Sequence, residues 1–371
     1  MAGLYIHIPF CASRCIYCGF YSTTLVPMRQ RYVDALCSEL AMRHGELHEP
    51  LRTVYLGGGT PSQLTASQLR QLFGAVETHY GRLSDEMEVT MECNPDDVTP
   101  ELAALLASLP VNRVSMGVQT FSDERLRFLH RRHTALQARQ AVGRLRKAGI
   151  GNVSIDLMFG FPGQTLDQWQ ADITEALGLH VEHLSAYSLM YEEGTPLYNR
   201  LQRGEIKEID DELSLRMYDA LCDRLIASGY EHYEISNFAL PHRRSRHNSS
   251  YWQGVPYLGV GAAAHSYDVD TRSWNVSDIN AYVSALEQGA RPCESERIDD
   301  DTRYDDTVTT ALRTPEGIDL RTLLPRHRRY LLRAAAPYLE RGQLQIDDSR
   351  IHLTRQGIYI SDSIMADLMY V

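Results

Sequence analysis

Hydrophobic positions along this chain fall into short β-branched or aromatic runs that alternate with longer stretches of helical periodicity, the pattern of a parallel sheet built from strand–helix units. Residues 4–8 read as the first strand, followed by a cysteine-rich loop and a helix expected at 28–44. A second strand at 53–56 runs into Gly57-Gly58-Gly59-Thr60-Pro61 and a helix at 67–80. Further strands are expected at 88–93, 111–119, 152–159 and 183–190, each followed by polar or Gly/Pro punctuation. Two helical stretches, 123–130 and 136–148, separate the fourth strand from the fifth. Six units within residues 1–235 fall short of the ~250 residues that a closed eight-stranded barrel usually takes, which favours a partial barrel or an open sheet.

Beyond that point the pattern changes twice. Residues 236–300 are rich in Gly, Ser, Asn and Tyr and read as a bridging region of loops with one helix at 279–287. Residues 301–371 read as three helices, a hairpin of strands at 343–346 and 350–353 around Asp347-Asp348-Ser349, and a final helix, the plan of a small winged-helix-like domain. Winged helices often bind DNA, but Asp299, Asp300, Asp301, Asp305 and Asp306 set acid at the entrance of this one. The expected class is therefore α/β, a partial barrel of six strand–helix units with a small C-terminal α+β domain.

Charge and composition narrow the partners. The 371-residue chain carries a formal charge of −11, so the field that attracts nucleic acid is missing despite the local run Arg243-Arg244-Ser245-Arg246, and no nucleic-acid partner is expected. Lys147 and Lys207 are the sole lysines, which leaves few candidates for Schiff-base chemistry. No run reaches the ~18 apolar residues of a membrane span, and residues 1–10 lack the charged and apolar regions of an export signal, so a cytoplasmic protein with no transmembrane segment is expected. Seven cysteines, three of them within eight positions, point to a reduced compartment and a metal site rather than a disulfide framework.

The triplet Cys11, Cys15 and Cys18 has the spacing C-x3-C-x2-C directly after the first strand, at the edge where parallel sheets place their active loops. Thiolates suit zinc or iron–sulfur centres; structural zinc normally takes four ligands, and an iron–sulfur cluster held by three leaves one iron open to a small molecule. Zinc completed by a histidine such as His7, or three unliganded thiols, are the plainer readings. Cys37, Cys93, Cys222 and Cys293 are scattered and read as structural.

Tyr5-Ile6-His7-Ile8-Pro9-Phe10-Cys11 and the run through Cys18 resemble the radical S-adenosylmethionine (SAM) superfamily, in the branch of oxygen-independent coproporphyrinogen III oxidase and the HemW heme chaperones. The resemblance spans nearly the whole chain. It implies that Cys11, Cys15 and Cys18 hold a [4Fe–4S] cluster whose open iron is chelated by SAM. It also implies that Gly58, Gly59 and Thr60 meet the methionyl end of SAM, and that Tyr5 and Tyr17 lie near its methionyl and adenine ends. Four polar residues at strand ends or in the loops after them complete the set: by charge complementarity Arg131 suits the SAM carboxylate, Glu92 its ammonium, and Gln119 and Asp156 its ribose. Taken singly, each could instead be an ordinary cap or ion-pair partner. Gly160-Phe161-Pro162-Gly163-Gln164-Thr165 also matches the family, although a tight turn accounts for it.

Within that branch, two departures separate this chain from the oxidases. They carry a further cysteine two positions after the third ligand, where this chain has Phe20, and an N-terminal arm before the first strand. In addition, His247-Asn248-Ser249-Ser250-Tyr251-Trp252 matches the H-N-x-x-Y-W signature of the HemW group. The resemblance thus implies a heme carrier that delivers heme to an acceptor protein, with His247 as a candidate iron ligand and flanking aromatics to stack on the macrocycle. The alternative for the motif is a structural loop whose His and Asn bond backbone. The alternative for the whole is an enzyme that decarboxylates coproporphyrinogen III through a 5′-deoxyadenosyl radical. Gly259-Val260-Gly261-Ala262-Ala263-Ala264 mimics a dinucleotide fingerprint but lacks the strand–helix–strand frame and reads as a turn leading to His265.

Overall fold

The computed structural model describes residues 2–370; Met1 and Val371, at the outer ends of the expected segments 1–235 and 301–371, lie outside the described residues. Strands β1 (Ala2–Ile8), β2 (Leu51–Gly58), β3 (Glu88–Cys93), β4 (Arg113–Gln119), β5 (Val153–Phe159) and β6 (His183–Ser188) lie side by side in chain order and all parallel. This is the six-stranded partial barrel expected from the sequence.

Successive side chains on a strand point to opposite faces, and here the two faces differ in chemistry. Leu4, Ile6 and Ile8 of β1, Val54 and Leu56 of β2, Val89 and Met91 of β3, and Val114 and Met116 of β4 enter one continuous apolar core with the surrounding helices. The intervening positions are polar and meet in register across the sheet. Tyr5 pairs with Tyr55, Tyr55 with Thr90 and Thr90 with Arg113. One step further along, Glu92 pairs with Ser115, Ser115 with Ser154 and Ser154 with His183, and above them Gly117 pairs with Asp156 and Asp156 with Ser185. The lumen is thus stacked in polar layers, each strand contributing one residue to a layer.

The sheet extends past both edges of this barrel. β7 (Glu231–Glu234) and β8 (Asn237–Ala239) add to β6, while β9 (Tyr257–Val260) pairs parallel to β1 and continues into β10 (His265–Asp268), β11 (Thr271–Asn275) and β12 (Cys293–Arg297). The outermost strands β12 and β7 leave the sheet open. The bridging region therefore differs from the expectation of loops with one helix. The helix Ile279–Glu287 is present, but so are five strands and a helix, Arg246–Trp252, over the H-N-x-x-Y-W motif. Strands of three to five residues are too short to show a period, and they form because an existing sheet edge supplies their hydrogen bonds.

A buried ion pair fastens these added strands to the barrel. Glu39, on the helix Arg29–Met42, is 0% exposed and accepts from Arg43 (2.9 Å), the Gly261 amide (2.9 Å), the Asn275 amide group (2.8 Å) and the Tyr282 hydroxyl (2.6 Å). Arg43 in turn donates to the Gly259 carbonyl (2.7 Å) and to Ser266 (3.0 Å).

The C-terminal part has its own core, including Tyr304, Val308, Leu331, Ile351, Ile364 and Leu368. Its helix Asp300–Ala311 is followed by strand β13 (Ile318–Asp319), helix Pro325–Glu340, the hairpin β14 (Leu344–Asp347) and β15 (Arg350–Leu353), and two short helices. Two helices, not the expected three, precede the hairpin. A short strand takes the middle place, because Gly317, at φ +57°, brings the chain flush against β15; a Cβ there would lie 2.2 Å from the Ile351 carbonyl oxygen. Among the described residues no helix is long and apolar enough to cross a membrane.

Removing Glu39 strands the Gly261, Asn275 and Tyr282 donors, while Arg43 keeps its second carboxylate, Glu46 (2.8 Å); losing one partner of a buried ion pair typically costs about 3–5 kcal/mol. Glu39→Ala is expected to lose stability in that range, with a lower denaturant midpoint by circular dichroism.

Candidate functional site

The cysteine loop is held over the barrel mouth by a buried isoleucine. Ile16 is buried among Leu129, Met158, Phe161, Leu189 and Leu197, its amide donates to the Leu129 carbonyl (3.2 Å), and its carbonyl accepts from Leu197 (2.9 Å). The start of the loop is pinned by the Cys11 amide donating to the Thr23 carbonyl (2.9 Å). Cys11, Cys15 and Cys18 consequently line one cavity of about 400 Å³ at the C-terminal ends of the strands, all three as free thiols and partly exposed. The Cys11 sulfur lies 3.4 Å from the Thr60 hydroxyl, and Arg131 Nη1 approaches the Cys15 sulfur at 3.5 Å. Burial pushes the Cys11 and Cys18 thiols up, while the Arg131 charge pulls Cys11 the other way.

Tyr17, Gly58, Gly59, Thr60, Glu92, Gln119, Arg131 and Asp156 line the same cavity. The structure thus brings together eight of the ten residues expected beside the thiols. Arg131 Nη2 donates to the Gly117 carbonyl (2.5 Å) and to Asn94 (2.9 Å), while its Nε is buried without an acceptor. Glu92 accepts from the Tyr55 hydroxyl (2.7 Å) and the Gly58 amide (3.1 Å), yet burial raises its carboxyl to about 7. Asp156 is raised by burial to about 6, against the pull of Arg113 and Arg131. Gln119 sits at a register shift with φ +67°, a backbone conformation that non-glycine residues rarely adopt and that aims this strand end into the mouth.

The glycine run does more than admit a ligand. At Gly59 a Cβ would stand 2.6 Å from the Pro9 carbonyl carbon, and at Gly58, with φ +108°, 2.4 Å from the His7 ring, so these glycines also let β2 pass close to the end of β1.

Tyr5 and His247 are not on the cavity wall. Tyr5 lies behind Tyr55, ring centroids 6.2 Å apart, and bonds His7 through its hydroxyl (3.0 Å). His247 is 0% exposed on the helix Arg246–Trp252, which plugs the barrel from the N-terminal end of its strands: the amides of Arg246 and His247 both donate to Glu88, at the start of β3 (2.9 Å each). Both its ring nitrogens are engaged, Nδ1 with Thr53 (2.8 Å) and Nε2 with the Tyr251 hydroxyl (2.8 Å), and the ring stacks on Tyr55 at 5.0 Å. Burial and the Arg113 charge lower it to about 3, so it is neutral. As held here, the imidazole expected to ligate iron has no free nitrogen to offer, and the motif is a helix rather than a loop.

Other residues on the cavity wall went unread in the sequence, Tyr55, Asn94, Arg113 and Tyr187 among them, and Asn248, read only as part of the H-N-x-x-Y-W motif, also borders it. Cys93, read as structural, also borders it from the end of β3. Arg113 is 1% exposed with its Nε buried and without an acceptor, and its charge acts through space on Glu92 and Asp156. The signal for Tyr55 and Arg113 was the alternation itself, since both occupy lumen positions on their strands.

The radical SAM superfamily model matches residues 5–176. The heme chaperone HemW of Bacillus subtilis (strain 168) is 34% identical over 372 residues, covering 98% of each chain. The chain belongs to the HemW family. The heme chaperone HemW of Lactococcus lactis is likewise 34% identical, over 97% of this chain and 95% of its own. Among solved structures, the radical SAM coproporphyrinogen III oxidase HemN of Escherichia coli matches 99% of this chain and 90% of its own with a TM-score of 0.85 at 22% identity, which shows a shared fold. This HemW family member therefore shares the fold of HemN along almost its full length, with the radical SAM match confined to residues 5–176.

Because both ring nitrogens of His247 satisfy buried hydroxyls, His247→Ala is expected to destabilise the barrel by about 2–4 kcal/mol through the cavity and the stranded Thr53 and Tyr251 hydroxyls. Chemical denaturation of the variant beside the parent measures this.

Proposed function

We propose that this HemW family member holds a [4Fe–4S] cluster on Cys11, Cys15 and Cys18, binds SAM beside it, and carries heme to an acceptor protein in the cytoplasm. The observation that carries the cofactor reading is the single cavity into which three free thiols, the Gly58-Gly59-Thr60 run, Arg131, Glu92 and Asp156 all open. Among the described residues no three His, Cys, Asp or Glu side chains converge tightly enough for a single metal ion. A cluster asks for less convergence, because each thiolate binds a different iron. These residues fit the group.

When bound, the cluster would supply one-electron chemistry and an iron open to the amino-acid end of SAM. The chain's own residues do the positioning. Arg131 offers its unused Nε–H toward a carboxylate and sets a positive charge beside Cys15, which favours the thiolate. Glu92 is the acceptor for an ammonium, and Asp156 and Gln119 are placed for ribose hydroxyls. Tyr17 closes the cavity beside the cysteine loop, and Tyr5 supports the wall from behind through Tyr55.

The heme-carrier reading is supported by relatives named heme chaperones that match along nearly the full chain, and by Phe20. That ring stands 72% exposed at the cavity mouth, where the oxidases have their further cysteine. Oxidative decarboxylation of coproporphyrinogen III remains the competing reading.

Anaerobic reconstitution separates them. The parent chain is expected to take up about four iron and four sulfide and to lose them in Cys15→Ala, since a three-thiolate site has no spare ligand. It is also expected to bind heme with a defined stoichiometry, seen as a Soret band, and to form no protoporphyrinogen. Stoichiometric zinc without iron uptake would overturn the cluster assignment, and decarboxylation coupled to 5′-deoxyadenosine formation would restore the oxidase.

SAM binding should be linked to pH through Glu92. Its carboxyl, raised to about 7, is largely protonated below that value and then lacks the charge that attracts an ammonium. SAM affinity is therefore expected to rise with pH through about 7, with proton release on binding, and Glu92→Gln should flatten that rise. Titration calorimetry in buffers of different ionisation enthalpy reads both effects.

A further inference from the structure

The motif Gly160-Phe161-Pro162-Gly163-Gln164-Thr165, read from the sequence as a tight turn, does more than reverse the chain. Gly160 (φ +82°) and Gly163 (φ +70°) take the left-handed conformation that favours glycine. The Gln164 side chain, 2% exposed, folds back to accept the Gly160 (2.8 Å) and Phe161 (3.2 Å) amides. The turn is thereby fixed from inside, and it delivers the buried Phe161 ring to the apolar group that holds Ile16.

Ile16, Leu129, Met158, Phe161, Leu189 and Leu197 form a core of their own, separate from the core of the barrel and from that of the C-terminal part. Each comes from a different place in the chain: the cysteine loop, the end of the helix Asp123–Phe128, β5, the turn after β5, the stretch after β6 and the helix Pro196–Gln202. Backbone bonds tie the pieces together. The Ile16 amide donates to the Leu129 carbonyl (3.2 Å), the Leu197 amide to the Ile16 carbonyl (2.9 Å) and the Leu189 amide to the Phe159 carbonyl (2.8 Å). Leu197 sits in the first turn of its helix, where no carbonyl of the helix reaches its amide, so that donor is free for the loop. Met158 also borders the cofactor cavity, so this small core backs the cavity wall.

Cys15 and Tyr17 flank Ile16 in the chain, so whatever fixes Ile16 also fixes the backbone that carries the Cys15 sulfur. Cys18 follows, its amide donating to the Cys15 carbonyl (3.4 Å). All of these contacts are made by protein groups. We infer that the small core is the positioning element of the cluster loop: the Gly160–Gln164 turn sets Phe161, and Phe161 with Leu129, Leu189 and Leu197 holds Ile16, so that the thiols are aimed before iron arrives. Phe161 and Gln164 are then positioning residues, since neither borders the cofactor cavity. Ligands fixed in advance spare the ordering cost of binding. The inference rests on the cluster assignment proposed above.

Two readouts in the full-length chain test it. Before reconstitution, the Ile16 and Leu197 amides are expected to exchange with deuterium as slowly as after it, because their acceptors are protein carbonyls. Both are expected to exchange faster in Phe161→Ala, and in Gln164→Leu, which keeps the Phe161 ring but removes the acceptor of its amide. After anaerobic reconstitution, both variants are expected to lose iron to a chelator about ten-fold or more faster than the parent, the scale on which groups behind metal ligands act. Phe161→Leu, which keeps an apolar filler, should recover most of that difference. Leu331→Ala, in the separate core of the C-terminal part, controls for lost stability alone and should release iron at the parental rate. Ile16 and Leu197 amides that become slow only once iron is bound would overturn the inference, as would iron release in Phe161→Ala and Gln164→Leu no faster than in Leu331→Ala. A parent chain that takes up no iron would instead overturn the cluster assignment itself.

Discussion

Parallel strands wrapped by helices have to bury both faces, and in this barrel the two faces are buried against different partners. The outward positions of β1 to β6 are aliphatic and pack on helices, while the inward ones are tyrosines, glutamate, arginine, serines and aspartate stacked in register. A lumen filled this way cannot close over dry side chains. It must satisfy its polar groups with one another and with whatever enters from the mouth. The raised carboxyls of Glu92 and Asp156, and the buried Arg113 Nε without an acceptor, are the residue of that constraint.

The two ends of the lumen are treated differently. At the C-terminal end of the strands, the cysteine loop is anchored through Ile16 and leaves an opening ringed by thiols, glycines and Arg131. At the N-terminal end, the helix Arg246–Trp252 closes the barrel, its first amides on Glu88 and its imidazole wedged between Thr53, Tyr55 and Tyr251. A neutral, doubly bonded histidine is a rigid plug, and the same short helix borders a second cavity.

The strands added beyond β1 border that second cavity too, and besides their ladder on the sheet edge a buried pair ties them to the barrel. Glu39 and Arg43 together reach Gly259, Gly261, Ser266, Asn275 and Tyr282, so the position of β9 to β11 relative to the barrel is fixed by hydrogen bonds rather than by apolar packing alone. Directional contacts of this kind hold a register that short strands could not hold by themselves.

The six strand–helix units and the cysteine triplet could be read from local pattern, and eight of the ten residues around the triplet from the glycine run, the polar strand ends and the family resemblance that chose among them. Tertiary structure decided what those patterns left open. The five short strands of the bridging region exist because a sheet edge was there to receive them. The third expected helix of the C-terminal part gave way to β13 because Gly317 packs on β15. Arg113 and Tyr55 join the site through their register with neighbouring strands. His247 illustrates the division best: its motif marked the family, but whether an imidazole faces a ligand or a buried hydroxyl depends on residues nearly two hundred positions away, and only the folded chain brings Thr53 to it.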